Sequence, residues 1–198
     1  MIRSIIFDLG NTLIDDPADQ LTAFTANAFG VSIPQYTAVV SQYFSDFQRG
    51  AVEEIALWQQ VAKDLEVATP TMERLQYQAF ASAYRPRPEM YAFVDELRSQ
   101  KYRVGLLSNT ERGTVEYFLE QPHPQFDATV FSCAEGTVKP EAKIYELALE
   151  RLGAAPKETI YIDDKEEYTR AAEALGIHGV TITHPEQAIR DIKTLLNS

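Results

Sequence analysis

An α/β fold, with a Rossmann-like parallel sheet as its core and a helical cap inserted into it, is predicted for this 198-residue chain by three observations. From residue 86 onward, apolar strand-like runs alternate with amphipathic stretches of helical spacing. A strand of the same kind lies alone at residues 3–7. Residues 17–85 between them carry helical patterns only. Strands alternating with single helices imply βαβ units, and hence parallel strands with helices on both faces of the sheet. The interval between the first two strands far exceeds a one-helix crossover, so it reads as an insertion. The chain therefore divides into a core, residues 1–16 and 86–198, and a cap, residues 17–85.

The first strand, "RSIIF", runs straight into Asp8. Four amphipathic segments follow, "PADQLTAFTANAF", "PQYTAVVSQYFSDFQ", "VEEIALWQQVAKDL" and "TMERLQYQAFASAY", punctuated by Gly30, Pro34, Gly50 and Pro70. Four short helices of this kind predict a small bundle. Pro88 suits the first turn of a helix over 88–99, whose apolar face is Met90, Phe93, Val94 and Leu97. Residues 102–107 read as a buried strand, 112–120 as a helix halted near Pro122, and 129–132 as a short strand. The helix over 141–152 places Ile144, Leu147, Ala148 and Leu152 on one stripe, with Gly153 positioned as its C-terminal cap. A strand at 159–162 leads into Asp163-Asp164. A helix bearing Tyr168, Ala171, Ala172 and Leu175 then stops at Gly176, and a strand at 179–183 and a helix at 185–196 complete the pattern.

Composition narrows the function. At 45% apolar and 24% charged residues the chain is of ordinary globular type, and no run reaches the roughly 18 apolar residues of a membrane span. With no signal-peptide pattern at the start, a cytoplasmic location is expected. Cys133 is the only cysteine, which excludes an intrachain disulfide and a cysteine metal cluster and reads as a small core residue. His123, His178 and His184 lack ligand spacing and are expected at the surface or at strand edges. The net charge of -11, without clusters of Lys and Arg, argues against nucleic-acid binding. An anionic substrate would then require local positive charge from a metal, a lysine or helix N-termini.

Four polar clusters fall where such a site belongs. Asp8 follows the first strand and Ser108-Asn109-Thr110 the second; Lys139-Pro140 precedes a helix, and Asp163-Asp164 follows a later strand. Singly, these could be caps, turns or a solvated lysine. In a parallel sheet, however, all the strand C-terminal ends share one edge, where ligands of open α/β sheets bind. The set suits phosphoryl transfer to a carboxylate: Asp8 as nucleophile, Mg²⁺ on Asp8 and Asp163-Asp164, Lys139 as point charge, and Ser108 with backbone N–H groups near Asn109 on the phosphate oxygens.

The same residues in the same order, "FDLGNTL", "LLSNT", "VKPEAKIYE" and "IYIDDKEEYTRAAEALG", resemble the haloacid dehalogenase-like hydrolases over essentially the whole chain. Within that family the pattern is most similar to sugar phosphatases such as the glucose 1-phosphate phosphatases, and to the phosphatase domain of soluble epoxide hydrolase. The resemblance implies a Mg²⁺-dependent phosphatase acting on a small, sugar-like phosphomonoester. It makes Asp8 the nucleophile, and Ser108 and Lys139 the phosphate-positioning residues. Asp164 becomes a direct Mg²⁺ ligand, Asp163 a second ligand or its supporting partner, and Gly10 a ligand through its backbone carbonyl.

Two departures from the family pattern stand out. Gly10 replaces the carboxylate that protonates the leaving oxygen and then activates water, which implies a preference for leaving groups stable as anions; Asp15 is either a substitute acid or a turn residue. Tyr168 stands where relatives carry Asp or Asn, with Glu167 one residue away and about 100° round the helix. Arg49, at a turn in the cap, either contacts the substrate or is solvated. The competing expectations are a non-catalytic binding protein on this scaffold and a dehalogenase, which would tolerate Gly10 but has no need of the metal set.

Overall fold

The structure, a computed structural model, describes residues 1–197. Five strands, β1 (Ser4–Phe7), β2 (Arg103–Ser108), β3 (Ala128–Phe131), β4 (Thr159–Asp163) and β5 (His178–Thr181), form one parallel sheet in the order β3-β2-β1-β4-β5. The sheet is covered by α6 (Pro88–Ser99), α7 (Arg112–Glu120), α8 (Ser132–Glu135), α9 (Ala142–Leu152), α10 (Glu166–Ala174) and α11 (Pro185–Leu196). Side chains along a strand alternate between faces. Ile5 and Phe7 accordingly enter a core with Met90, Phe93, Val94 and Ile192, whereas Ile6 enters a second core with Ile144, Tyr145, Ala148 and Tyr161. Being buried on both faces is what makes β1 a continuous apolar run.

Between β1 and α6 lie α1 (Ala18–Phe29), α2 (Ile33–Val40), α3 (Phe44–Gln48), α4 (Glu54–Asp64) and α5 (Leu75–Ala83). They enclose a third core around Phe29, Tyr36, Phe47, Trp58 and Val61. The second predicted cap helix is thus two. Residues 41–43 interrupt it, yet Tyr36, Val40, Phe44 and Phe47 keep a helical apolar spacing across the break, so periodicity does not reveal it. The break lets Phe47 meet Trp58 edge-on, with ring centroids 5.5 Å apart. The last cap helix begins later than its pattern suggests, after Arg74 at φ 53°. The four-residue α8 was not expected from the sequence at all.

The two chain segments joining cap and core run side by side: Ile14 bridges Pro86, Asp15 N–H donates to Arg85 O at 2.8 Å, and Arg87 N–H donates to Leu13 O at 2.9 Å. A second seam lies at the far side of the cap. Gly50 sits at φ 68°, and a Cβ there would fall 2.1 Å from the Cys133 carbonyl oxygen, so only glycine lets the two backbones approach this closely. Nearby, the Ser132 hydroxyl donates to Gln48 O at 2.6 Å and accepts from Thr110 N–H at 2.8 Å.

Candidate active site

β1 is the central strand, and the strand order reverses between it and β4, the crevice where open α/β sheets place their ligands. Phe7 is in register with Leu106 on one side and Ile162 on the other. This brings Asp8, just past the end of β1, level with Leu107 on one side and Asp163 on the other, with Ser108 one residue further along β2. Asp8 N–H continues the ladder by donating to Ile162 O at 2.9 Å.

Lys139, from the loop before α9, joins the two flanking carboxylates. Its Nζ lies 2.6 Å from Asp8 Oδ1 and 2.7 Å from Asp163 Oδ2, and only 3% of the residue is exposed. Asn109 fixes that loop through a reciprocal pair: Lys139 N–H donates to Asn109 Oδ1 at 2.8 Å, and the Asn109 amide donates to Lys139 O at 3.0 Å. Burial pushes the Asp8 carboxyl up to about 7; Lys139 pulls it down and the neighbouring Asp163 pushes it up further. Burial would lower Lys139, yet the Asp8 and Asp163 carboxylates outweigh it and hold the ammonium above its ordinary value.

Asp8, Asp163 and Asp164 each offer a carboxylate oxygen, all within 4.8 Å of one another. Three carboxylates against the single ammonium of Lys139 leave two negative charges, the amount one divalent cation carries, and the donors are hard oxygens of the kind Mg²⁺ takes. The three are not equivalent. Asp163 is fully buried: Oδ2 accepts from Lys139 and the Tyr161 hydroxyl, and Oδ1 accepts from Lys165 N–H at 2.9 Å. Asp164 is half-buried and accepts only the Asn11 amide, at 3.1 Å, among the described residues, leaving it the more open donor.

Asn11, held at φ 51°, is positioned in turn by Arg87. The guanidinium donates to Asn11 O and Oδ1, both at 2.7 Å, and its Nε to Asp15 Oδ1 at 3.0 Å. Asp15 is therefore engaged with Arg87 beside the cap hinge. The Tyr168 ring packs on the second core and also faces Lys139 Nζ, 5.1 Å from the ring centroid, with Lys165 Nζ at 5.1 Å as well. It thus gives the buried ammonium a cation–π partner.

Gly10 and Ser108 line a cavity of about 250 Å³ between the sheet edge and the cap. A Cβ at Gly10 would meet only Pro17 Cδ, at 3.7 Å, so the position has room for a side chain. Arg49, expected to touch the substrate or to be solvated, is partly exposed at the cap–core seam. Its guanidinium pairs with Glu141, donates to Gly136 O at 3.5 Å and lies outside the cavity lining, because docking of the cap on the core turns it toward α9. Cys133 is half-buried with its thiol pushed up to about 11, first by burial, consistent with a packing role. His123 stacks on Phe118, ring centroids 4.6 Å apart, and is half-buried rather than superficial.

Among residues that the sequence did not single out, Tyr161 had a visible signal, since it lies two positions before Asp163 and so on the same strand face. Asn11 stood inside the first motif. Arg87 and Glu111 had no local signal. Glu111 is buried where cap meets core and accepts from Gln48 at 3.1 Å, Gln76 at 3.0 Å and Thr114 at 3.1 Å.

A doubly wound sheet with three convergent carboxylates, a buried lysine and a capping helical layer makes a site able to hold a divalent cation beneath a covered cavity. The chain matches the haloacid dehalogenase-like hydrolases over residues 2–176 and belongs to that family. It is 27% identical to acyl-CoA dehydrogenase family member 10 of Mus musculus across 98% of its own length, although it spans only 19% of that longer protein. It is 25% identical to a sesquiterpene phosphatase of Aspergillus oryzae, covering 98% of this chain and 96% of that one. The fold superposes with a TM-score of 0.77 on a haloacid dehalogenase-family enzyme of Bacteroides thetaiotaomicron in complex with magnesium and inorganic phosphate; the two are 24% identical over 91% of this chain and 94% of that one.

Proposed function

We propose that the protein is a Mg²⁺-dependent phosphatase that hydrolyses a small phosphomonoester through an aspartyl-phosphate on Asp8, with residues 17–85 as its cap. The carrying observation is the placement of Asp8 at the central strand end, with Lys139 Nζ 2.6 Å from its carboxylate and two further carboxylates beside it. An Asp8 oxygen attacks phosphorus, the P–O bond to the organic group breaks, and water then attacks the acyl phosphate to release phosphate and restore the carboxylate. Lys139 keeps a positive charge against the transferring group, and Ser108 with N–H groups near Asn109 binds its peripheral oxygens. Asp8, Asp164 and the Gly10 carbonyl would hold Mg²⁺, with Asp163 behind them. When bound, the ion supplies the charge that offsets repulsion between carboxylate and phosphate. Because Gly10 carries no carboxylate, the leaving oxygen departs without a built-in acid, and esters of acidic alcohols and phenols are favoured.

The test is release of p-nitrophenol from p-nitrophenyl phosphate with Mg²⁺ and with chelator, in the parent and Asp8→Asn. Turnover that requires Mg²⁺ and vanishes in Asp8→Asn is expected. Absence of any such turnover would favour the non-catalytic binding protein for which Gly10 is the specific support.

A further inference from the structure

We propose that the organic group of the substrate is a mainly apolar body of about ten carbon atoms, and not a sugar, a deepening that rests on the phosphatase reading above. The cavity that opens beside Gly10, Ser108 and Asn109 is walled by Leu21, Val40, Phe44, Phe47, Trp58 and Phe80. These come from α1 to α5, so the cap as a whole supplies the apolar surface. An apolar cavity of about 150 Å³ holds one benzene ring, so by proportion the 250 Å³ here holds about ten carbons.

Much of the polar lining on the cap side is committed within the protein, and Thr22, Tyr36 and Lys165 are the further polar side chains that reach the cavity there. Thr25 donates its hydroxyl to Leu21 O at 2.9 Å, Gln48 and Gln76 donate their amides to Glu111, and Thr114 donates its hydroxyl to Glu111. Glu111 has about four lone-pair sites and three are taken, which leaves room for a single donor from a substrate. A sugar would bring several hydroxyls into a wall that offers few acceptors, and buried hydroxyls without partners are costly. The sugar-like ester expected from the sequence therefore does not match this lining. An alkyl or aryl body gains from every apolar contact.

The experiment uses 4-alkylphenyl phosphates, from phenyl through 4-butylphenyl, because the leaving phenol keeps nearly constant acidity while the apolar body grows to ten carbons. The expected result is a rise in kcat/KM of roughly threefold per added methylene, with glucose 1-phosphate about tenfold or more below the butyl ester. Phe44→Ser, at a position 48% exposed and so tolerant of change, is expected to flatten that rise. Turnover of phenyl phosphate with a flat or falling series, or with glucose 1-phosphate leading, would overturn the apolar body and leave the phosphatase reading standing. No turnover of any ester would sink the phosphatase reading itself. Calorimetric titration of the same esters into Asp8→Asn gives a check independent of turnover: 4-butylphenyl phosphate binding no tighter than phenyl phosphate would overturn the proposal.

Discussion

Gly10→Asp tests whether the missing carboxylate is the reason for a restricted leaving-group range. The backbone there is not in the left-handed region, and the new Cβ would make one ordinary contact, 3.7 Å to Pro17 Cδ, so the substitution introduces no clash at its root. The side chain would emerge on the wall of the cavity that Ser108 also lines. A positioned acid/base contributes about 10² to 10⁴ in rate, or about 3 to 5 kcal/mol of transition-state stabilisation. That is the ceiling for an alkyl ester, whose oxygen leaves poorly as an anion; for p-nitrophenyl phosphate the gain should stay below about tenfold, because the phenolate needs little protonation. The quantity to measure is the ratio of kcat/KM for butyl phosphate to that for p-nitrophenyl phosphate, in parent and variant at saturating Mg²⁺. A rise of at least about tenfold in the ratio is expected. A folded variant with an unchanged ratio would refute the reasoning, since neither burial nor charge at residue 10 would then distinguish the two leaving groups.

Three further outcomes follow from named contacts. Arg87→Met frees Asn11 and with it the Asn11–Asp164 hydrogen bond, and such loss of ligand support lowers metal affinity or activity about 10- to 100-fold; the Mg²⁺ concentration giving half-maximal turnover should rise accordingly. Glu141 is held at about 2, below its ordinary 4.5, first by the Arg49 guanidinium and then by the Thr137 hydroxyl, so its contribution to stability is complete above pH 4.5 and lost as pH falls toward 2. Because the pair is partly exposed, Arg49→Met should cost less than about 1 kcal/mol at pH 7, and thermal melts of parent and variant should converge as pH is lowered through that window. Gly50→Ala should destabilise by at least about 1–2 kcal/mol from its backbone conformation alone, with the encounter with Cys133 O adding to it; urea titration showing no loss would contradict the close seam between cap and core.

The sheet and its chemistry-bearing edge were legible because they depend on local patterns. An apolar run buried on both faces announces a strand, and in a βα layout the strand C-terminal ends and the loops leading from them share one edge, so the pattern alone assigns Asp8, Ser108, Lys139 and Asp163 to that edge. What stayed hidden depends on how cap and core dock. Arg87 reaches Asn11 across 76 residues, and Glu111 gathers Gln48 and Gln76 from two cap helices; no spacing in the chain encodes either meeting. The Arg49–Glu141 pairing stayed hidden for the same reason, since it arises only once the cap lies against α9. The interruption between α2 and α3 escaped because the apolar rhythm runs through it unbroken. Organic-group selectivity belongs to the same hidden class, because the cavity wall is assembled from all five cap helices at once.

Capture of the phosphorylated enzyme bears most directly on the central claim, that Asp8 is the group that receives the phosphoryl. The enzyme is mixed with p-nitrophenyl phosphate and Mg²⁺, quenched in acid within a turnover, digested at low pH and examined by mass spectrometry. The added mass of one phosphoryl group on the peptide containing Asp8, absent from Asp8→Asn and without chasing to another residue, is the predicted result. Phosphate release proceeding at full rate in Asp8→Asn, or the phosphoryl group found on a different side chain, would contradict the account.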